Sequence, residues 1–241
     1  GINDLAQGYD VLAWNCRNCA KTEAFERRAY YHSGLSEDLA DVVDHALATQ
    51  DYSEVVLVGF SMGGNIVLKY LGEQGDNLPA VIQRAMAISA PIDLLSSSHA
   101  LLRFPNQIYG RNFLKTILRK VKENPDDIAH YGLSMKAIMQ CKNLRDFDHL
   151  FTAPVHNFDS QDDYYQRASA VNVLAKITIP WCLLNAQDDP FLAAACYPTC
   201  ADIGNLHMHT LYPKYGGHLG FNNPLNKQSS WLNQQALDYL L

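Results

Sequence analysis

The chain has 241 residues and an ordinary globular composition, with 48% hydrophobic and 18% charged residues. Its formal net charge is −6, which argues against a broad nucleic-acid-binding face, because such a face needs clustered Lys and Arg. No apolar run approaches the roughly 18 to 20 residues that a membrane span requires.

Six cysteines include two close pairs, Cys16 with Cys19 and Cys196 with Cys200. A zinc site is the alternative to free thiols, but the spacing is loose and the pairs lie far apart in the chain. We therefore expect reduced thiols, no metal and no cofactor, and a cytoplasmic location.

Alternating strands and helices are predicted for the first 90 residues. Strands are expected over residues 9–14, 54–59 and 81–89, and amphipathic helical stretches over residues 35–47 and 65–71. The second of these strands is almost entirely apolar, which is typical of a parallel strand covered on both faces. The alternation predicts an α/β fold with a mostly parallel sheet and flanking helices.

Helical segments replace strands between residues 91 and 175, a stretch too long for one crossover connection. The strand pattern returns with an apolar run at residues 179–185 and another at 206–212, followed by a closing helix. We therefore predict a core over residues 1–90 and 176–241, with a helical cap insertion over 91–175.

One basic stretch, residues 111–122, lies in the helical insertion. Its apolar positions recur at helical spacing: Phe113, Leu114, Ile117, Leu118 and Val121. One interpretation is a surface helix with a solvated basic face. The other is a helix that makes peripheral contact with a membrane or anionic lipid.

The segment at residues 59–64, Gly-Phe-Ser-Met-Gly-Gly, has the form G-x-S-x-G between a predicted strand and a predicted helix. In that context the motif is a nucleophile elbow, a sharp turn that exposes the serine hydroxyl above the sheet end. A serine needs a base, and the base needs a carboxylate that orients it. Ser61, then Asp188 or Asp189, then His218 follow predicted strands in this order, and we favour Asp188 because Asp189 precedes a proline.

Four segments resemble the YheT-like, ABHD1/2/3-type branch of the α/β-hydrolase superfamily: residues 31–39, 59–65, 185–191 and 216–221. The resemblance spans roughly residues 9–221. It implies Ser61 as nucleophile, Asp188 as acid and His218 as base, in a serine hydrolase that cleaves carboxylic esters. The implied substrate is a small-molecule ester, short-to-medium acyl or lipid-like, which places the protein in lipid metabolism.

The elbow of this family normally follows the fifth strand, whereas Ser61 is preceded by only one convincing predicted strand. We therefore expect the first strands of the fold to lie outside this chain, together with the loop that supplies one oxyanion-hole amide. The backbone N–H of Met62 would supply the other amide. Loss of one donor typically costs about 2.7–4 kcal/mol of transition-state stabilisation, which predicts a weakly active or inactive chain. The alternatives are a non-catalytic binding protein on the same fold and an acyltransferase with the same triad.

Overall fold

A four-stranded parallel sheet forms the centre of the computed structural model, which describes residues 8–17, 19, 30–221 and 231–240. The strands are β1 (Val55–Phe60), β2 (Ile82–Ile88), β3 (Trp181–Leu184) and β4 (Met208–Leu211), and they lie in the order β1-β2-β3-β4. All three neighbouring pairs are parallel, so the carboxyl ends of the strands share one edge of the sheet. The predicted α/β class with a parallel sheet is confirmed.

Helices cover both faces of the sheet. Successive side chains of a strand point to opposite sides, and in β2 the side chains on both sides are buried. Ala85 and Ala87 of β2 join a core cluster with helices α1 (Ser36–Thr49) and α2 (Met62–Gln74). Met86 and Ile88 join a second cluster on the other face, with helix α11 (Trp231–Leu240).

The segment between β2 and β3 is helical, as predicted. It contains seven α-helices: α3 (Leu94–Ala100), α4 (Gln107–Glu123), α5 (Pro125–His130), α6 (Met135–Ile138), α7 (Leu144–Phe147), α8 (Ala153–Val155) and α9 (Gln161–Ala168). A π-helical turn (Asp148–Thr152) joins α7 to α8, and α10 (Cys200–Ile203) lies between β3 and β4. Side chains from α4 to α8 form a core of their own, which includes Leu114, Ile128 and Phe151. Its division from the sheet core as a cap stays a prediction.

The strand predicted over residues 9–14 is wrong, because these residues have no regular secondary structure. A strand needs a hydrogen-bonded neighbour, and the apolar pattern of the segment does not provide one. Val11 and Leu12 are 46% and 57% exposed, while Trp14 packs against the core cluster of α1 and α2. Within the described residues, β1 has a neighbouring strand on one side only.

A buried asparagine on α2 joins three parts of the chain. The Asn65 amide nitrogen donates to the carbonyl of Ser33 at 2.7 Å and to that of Ala168 at 2.8 Å. Its amide oxygen accepts from the N–H of Ala170 at 2.9 Å. The end of α9 and the segment before α1 are thereby fixed to the helix that follows the elbow.

Helix length and composition also bear on membranes: in the described ranges, no helix is both long and apolar enough to cross a bilayer.

Candidate active site

Ser61 lies in the sharp turn between β1 and α2, with φ 52° and ψ −123°. Its amide donates to the carbonyl of Ile88 at 2.8 Å, which fixes the turn to the end of the neighbouring strand β2. The strand-turn-helix context predicted for G-x-S-x-G is therefore present.

Two glycines let the strand and the helix pass close together at this turn. A Cβ added to Gly59 would overlap the backbone of Gly63, and one added to Gly64 would lie 2.7 Å from the Cβ of Ala90. A Cβ on Gly63 would meet nothing within 4 Å. The steric requirement thus falls on the first glycine of the motif and on the glycine behind it.

His218 contacts the serine through Nε2, which lies 2.8 Å from Ser61 Oγ. The imidazole is carried by the loop after β4, where Gly217 has φ 57°. A Cβ on Gly216 would lie 2.6 Å from the ring of Phe221, so the loop packs closely behind the histidine. The Ser89 hydroxyl, just after β2, donates to the carbonyl of His218 and ties the loop to the sheet.

Asp189, not Asp188, contacts the histidine. Asp189 Oδ2 lies 2.8 Å from His218 Nδ1, and the Asp189 side chain is fully buried. Its second oxygen accepts from the amide of Phe191 at 2.9 Å. The prediction of Asp188 as the partner of His218 is therefore wrong in geometry.

The physical reason is the turn after β3. The amide of Asp189 donates to the carbonyl of Ala186 at 3.1 Å, and the reversal directs Asp189 inward and Asp188 to the surface. The proline at 190 restricts the backbone of the preceding residue, but it does not fix the direction of its side chain.

Asp188 nevertheless belongs to the site. One of its carboxylate oxygens accepts from the amides of Gly216 and Gly217, at 2.9 and 2.8 Å. The two adjacent aspartates thus hold the histidine differently, one through its ring and the other through its loop.

The amide of Met62 is the first of α2, a position where N–H groups have no acceptor within their own helix. It is therefore available to a negatively charged oxygen next to Ser61. The role of this amide in an oxyanion hole stays a prediction.

Aromatic side chains extend from the histidine to the helical segment. The ring of Phe191 lies edge-on to that of His218, with centroids 4.3 Å apart, and contacts Tyr109 and Phe113 of α4 at 5.0 and 5.6 Å. Asn106, just before α4, donates to the carbonyl of Pro190 at 2.6 Å. No sequence pattern indicates that α4 reaches the site, although Phe191 lies within the Asp-Asp-Pro-Phe segment.

Buried titratable groups also occur elsewhere in the chain. Burial raises the pKa of Asp148 to about 6, although the hydroxyls of Tyr165 and Thr152 donate to its carboxylate. Burial and the adjacent His156 lower the pKa of His32 to about 3. The contacts of these groups lie outside the Ser61–His218–Asp189 chain, so we interpret them as parts of the packing.

The alpha/beta hydrolase fold family has a sequence model that matches residues 1–224, and the chain belongs to this family. It is 27% identical to YheT of Escherichia coli (strain K12) over 247 residues, covering 100% of this chain and 71% of that protein. It is 30% identical to phospholipase ABHD3 of Mus musculus over 214 residues, covering 89% of this chain and 51% of the relative. A monoacylglycerol lipase of Saccharomyces cerevisiae is 28% identical over 233 residues, which cover 91% of this chain and 50% of the yeast protein. The YheT-like, ABHD-type branch is thus confirmed, and the chain spans about half the length of the last two relatives.

Proposed function

We propose that the protein is a serine hydrolase that cleaves carboxylic esters through an acyl-serine intermediate. The observation that carries the proposal is the continuous hydrogen-bonded chain of three side chains. Ser61 Oγ to His218 Nε2 and His218 Nδ1 to Asp189 Oδ2 are both 2.8 Å, which is the arrangement that activates a serine.

The roles follow from the contacts. His218 Nε2 takes the hydroxyl proton as Ser61 Oγ attacks the ester carbonyl carbon, and buried Asp189 stabilises the imidazolium that forms. The Met62 amide donates to the developing oxyanion. When the tetrahedral intermediate collapses, the alcohol leaves with the proton held by His218. Water then attacks the acyl-serine with His218 again as base, and the acid is released.

Aromatic contacts support an apolar acyl group as the substrate. Phe191 contacts the catalytic imidazole, and Tyr109 and Phe113 extend the apolar surface away from it. The relatives named phospholipase and monoacylglycerol lipase support an ester of lipid type. We include α4 of the proposed cap in the wall of the acyl site.

Labelling with a fluorophosphonate probe tests the nucleophile. We expect the chain to be labelled, and we expect Ser61→Ala and His218→Ala to lose the label. Ser53→Ala removes the hydroxyl of an exposed serine and serves as the matched control. Labelling that persists in Ser61→Ala, or a wild-type chain that stays unlabelled, would contradict the proposal and favour a binding protein on this fold.

A series of p-nitrophenyl esters with acyl chains of graded length tests the substrate class. We expect hydrolysis to rise with chain length until the aromatic wall is filled. Phe191→Ala should move the optimum towards longer chains, because it removes the ring nearest the histidine. An optimum that does not move would exclude Phe191 from the acyl site.

A further inference from the structure

Helix α4 and the turn before it carry exposed apolar side chains beside exposed basic ones. We name Phe104, Ile108, Arg111, Lys115 and Arg119 the α4 surface. We propose that this surface docks the protein on an anionic phospholipid bilayer. The inference rests on the proposed function, since it identifies where a lipid ester would come from.

The apolar part of the α4 surface is unusually exposed. Phe104 is 80% exposed and Ile108 is 53% exposed, and Leu102 beside them is 43% exposed. Single exposed apolar side chains are common, but neighbouring ones on one turn and one helix start are typical of an interaction site. Such side chains can enter the boundary between lipid headgroups and acyl chains.

The basic part follows one side of the helix. Ile108, Arg111, Lys115 and Arg119 are spaced by three, four and four residues, so they lie on the same side of α4. In the described part of the chain, none of these three cations has a carboxylate within ion-pair distance. The helix holds five Lys or Arg and one Glu, in a chain whose net charge is −6.

A cavity of about 190 Å³ opens beside this surface, between α3, α4 and α7. Its lining includes Arg111, Lys142 and Arg145 and, among the residues that the structure describes, no carboxylate. Arg145 is already bound to Asp162 at 2.8 Å, so the positive charge open to a ligand comes from Arg111 and Lys142. A phosphate-bearing headgroup has the charge that this lining would bind.

A second copy of this chain is a poorer occupant. In a two-fold symmetric contact the same patch faces itself, so the cations of one α4 would oppose those of the other. A nucleic acid would match the charge, but it would leave Phe104 and Ile108 against a polar backbone. A bilayer with anionic headgroups matches the apolar and the basic side chains together.

Helix α4 also contacts the active site, through a different face. From the same helix, Tyr109 and Phe113 contact Phe191, and Phe191 contacts His218. Tyr109 and Phe113 lie roughly 100–160° around the helix from Ile108, Arg111 and Lys115, so docking would hold α4 at the bilayer while another of its faces contacts the active site.

Vesicle flotation tests the proposal directly. We expect the chain to float with vesicles of phosphatidylcholine and phosphatidylglycerol, and to float far less with phosphatidylcholine alone or at high salt. Each Lys or Arg near an anionic surface strengthens binding about fivefold, so Lys115→Gln with Arg119→Gln should weaken it roughly 25-fold. Phe104→Ser should weaken binding as well.

Matched variants complete the design. Lys136→Gln with Lys176→Gln removes two exposed cations elsewhere, and Leu206→Ser removes a leucine that is 96% exposed. These should bind as the wild type does. Vesicle binding that does not depend on lipid charge would overturn the proposal, and so would binding that the control pair weakens as much as Lys115→Gln with Arg119→Gln. A chain that binds no vesicles but forms a dimer, which these two substitutions abolish, would also overturn it.

Hydrolysis of a soluble p-nitrophenyl ester separates this inference from the proposed function. Lys115→Gln with Arg119→Gln, and Phe104→Ser, should keep the wild-type rate on the soluble ester and lose activity only on vesicles. No hydrolysis of either substrate by any form, with charge-dependent flotation intact, would refute the hydrolase while leaving the docking surface standing.

Discussion

Replacing each of the two adjacent aspartates by asparagine distinguishes their roles most sharply. In Asp189→Asn, the side-chain oxygen should keep the hydrogen bond from the Phe191 amide, now 2.9 Å long. The amide nitrogen then faces His218 Nδ1 as a donor. Nδ1 must accept, so the ring proton moves to Nε2 and points at Ser61 Oγ, which leaves the serine without a base. Rotating the amide would only place its nitrogen against the Phe191 N–H.

The expected loss is large because the imidazole is held in the wrong tautomer. In serine proteases the corresponding change lowers kcat about 10⁴-fold, equivalent to about 5.4 kcal/mol of activation free energy. Asp188→Asn keeps an oxygen that can accept from Gly216 and Gly217, so we expect it to lose less than about tenfold.

The assay is the rate of acylation by a short p-nitrophenyl ester, with fluorophosphonate labelling as a second readout. The circular dichroism spectra of both variants should match that of the wild type, because neither changes the shape of the side chain. An Asp188→Asn variant as impaired as Asp189→Asn, or more so, would refute the assignment of the acid.

Three further predictions concern the frame around the site. Gly64→Ala should lower the free energy of unfolding by about 1–3 kcal/mol, because the added Cβ would lie 2.7 Å from the Cβ of Ala90. Gly63→Ala, where an added Cβ meets nothing within 4 Å, should not lower it, and urea unfolding measures both. Asn65→Ala should lower the free energy of unfolding by about 3 kcal/mol, because it leaves two buried backbone groups and one part-buried carbonyl without their partner. A loss under 1 kcal/mol would contradict this prediction. Burial lowers the pKa of His32 to about 3 in the folded chain, against 6.5 in the unfolded chain. Between these values the unfolded state binds a proton that the folded state does not, so the contribution of His32 to the stability of the fold is lost as the pH falls below 6.5. His32→Gln should therefore remove about 2 kcal/mol of the stability loss between pH 7 and pH 5, measured by urea unfolding at each pH.

The parallel sheet, the elbow and the histidine loop could be predicted from the sequence because each rests on a local pattern. Apolar runs mark β1 and β2, and G-x-S-x-G marks the turn that carries Ser61. The basic stretch was likewise correctly predicted to be helical. In each case, a pattern of neighbouring residues is enough to predict the element.

What the sequence could not settle depends on contacts between distant segments. Asp188 and Asp189 are chemically identical, and only the turn after β3 decides which one is buried against His218. The contact of α4 with Phe191 likewise joins residues about 80 positions apart, and no local pattern predicts it. The false strand at residues 9–14 failed for the same reason, since strand pairing is not a property of one segment.

The backbone at Ser61 adopts a strained conformation. A positive φ of 52° with ψ −123° suits glycine and is unfavourable for a residue with a Cβ, by roughly 1–3 kcal/mol. Ser61→Gly should thus melt at a higher temperature than the wild type while forming no acyl-enzyme. Under the proposed function, the elbow is therefore a place where the chain exchanges some thermal stability for reactivity at Ser61.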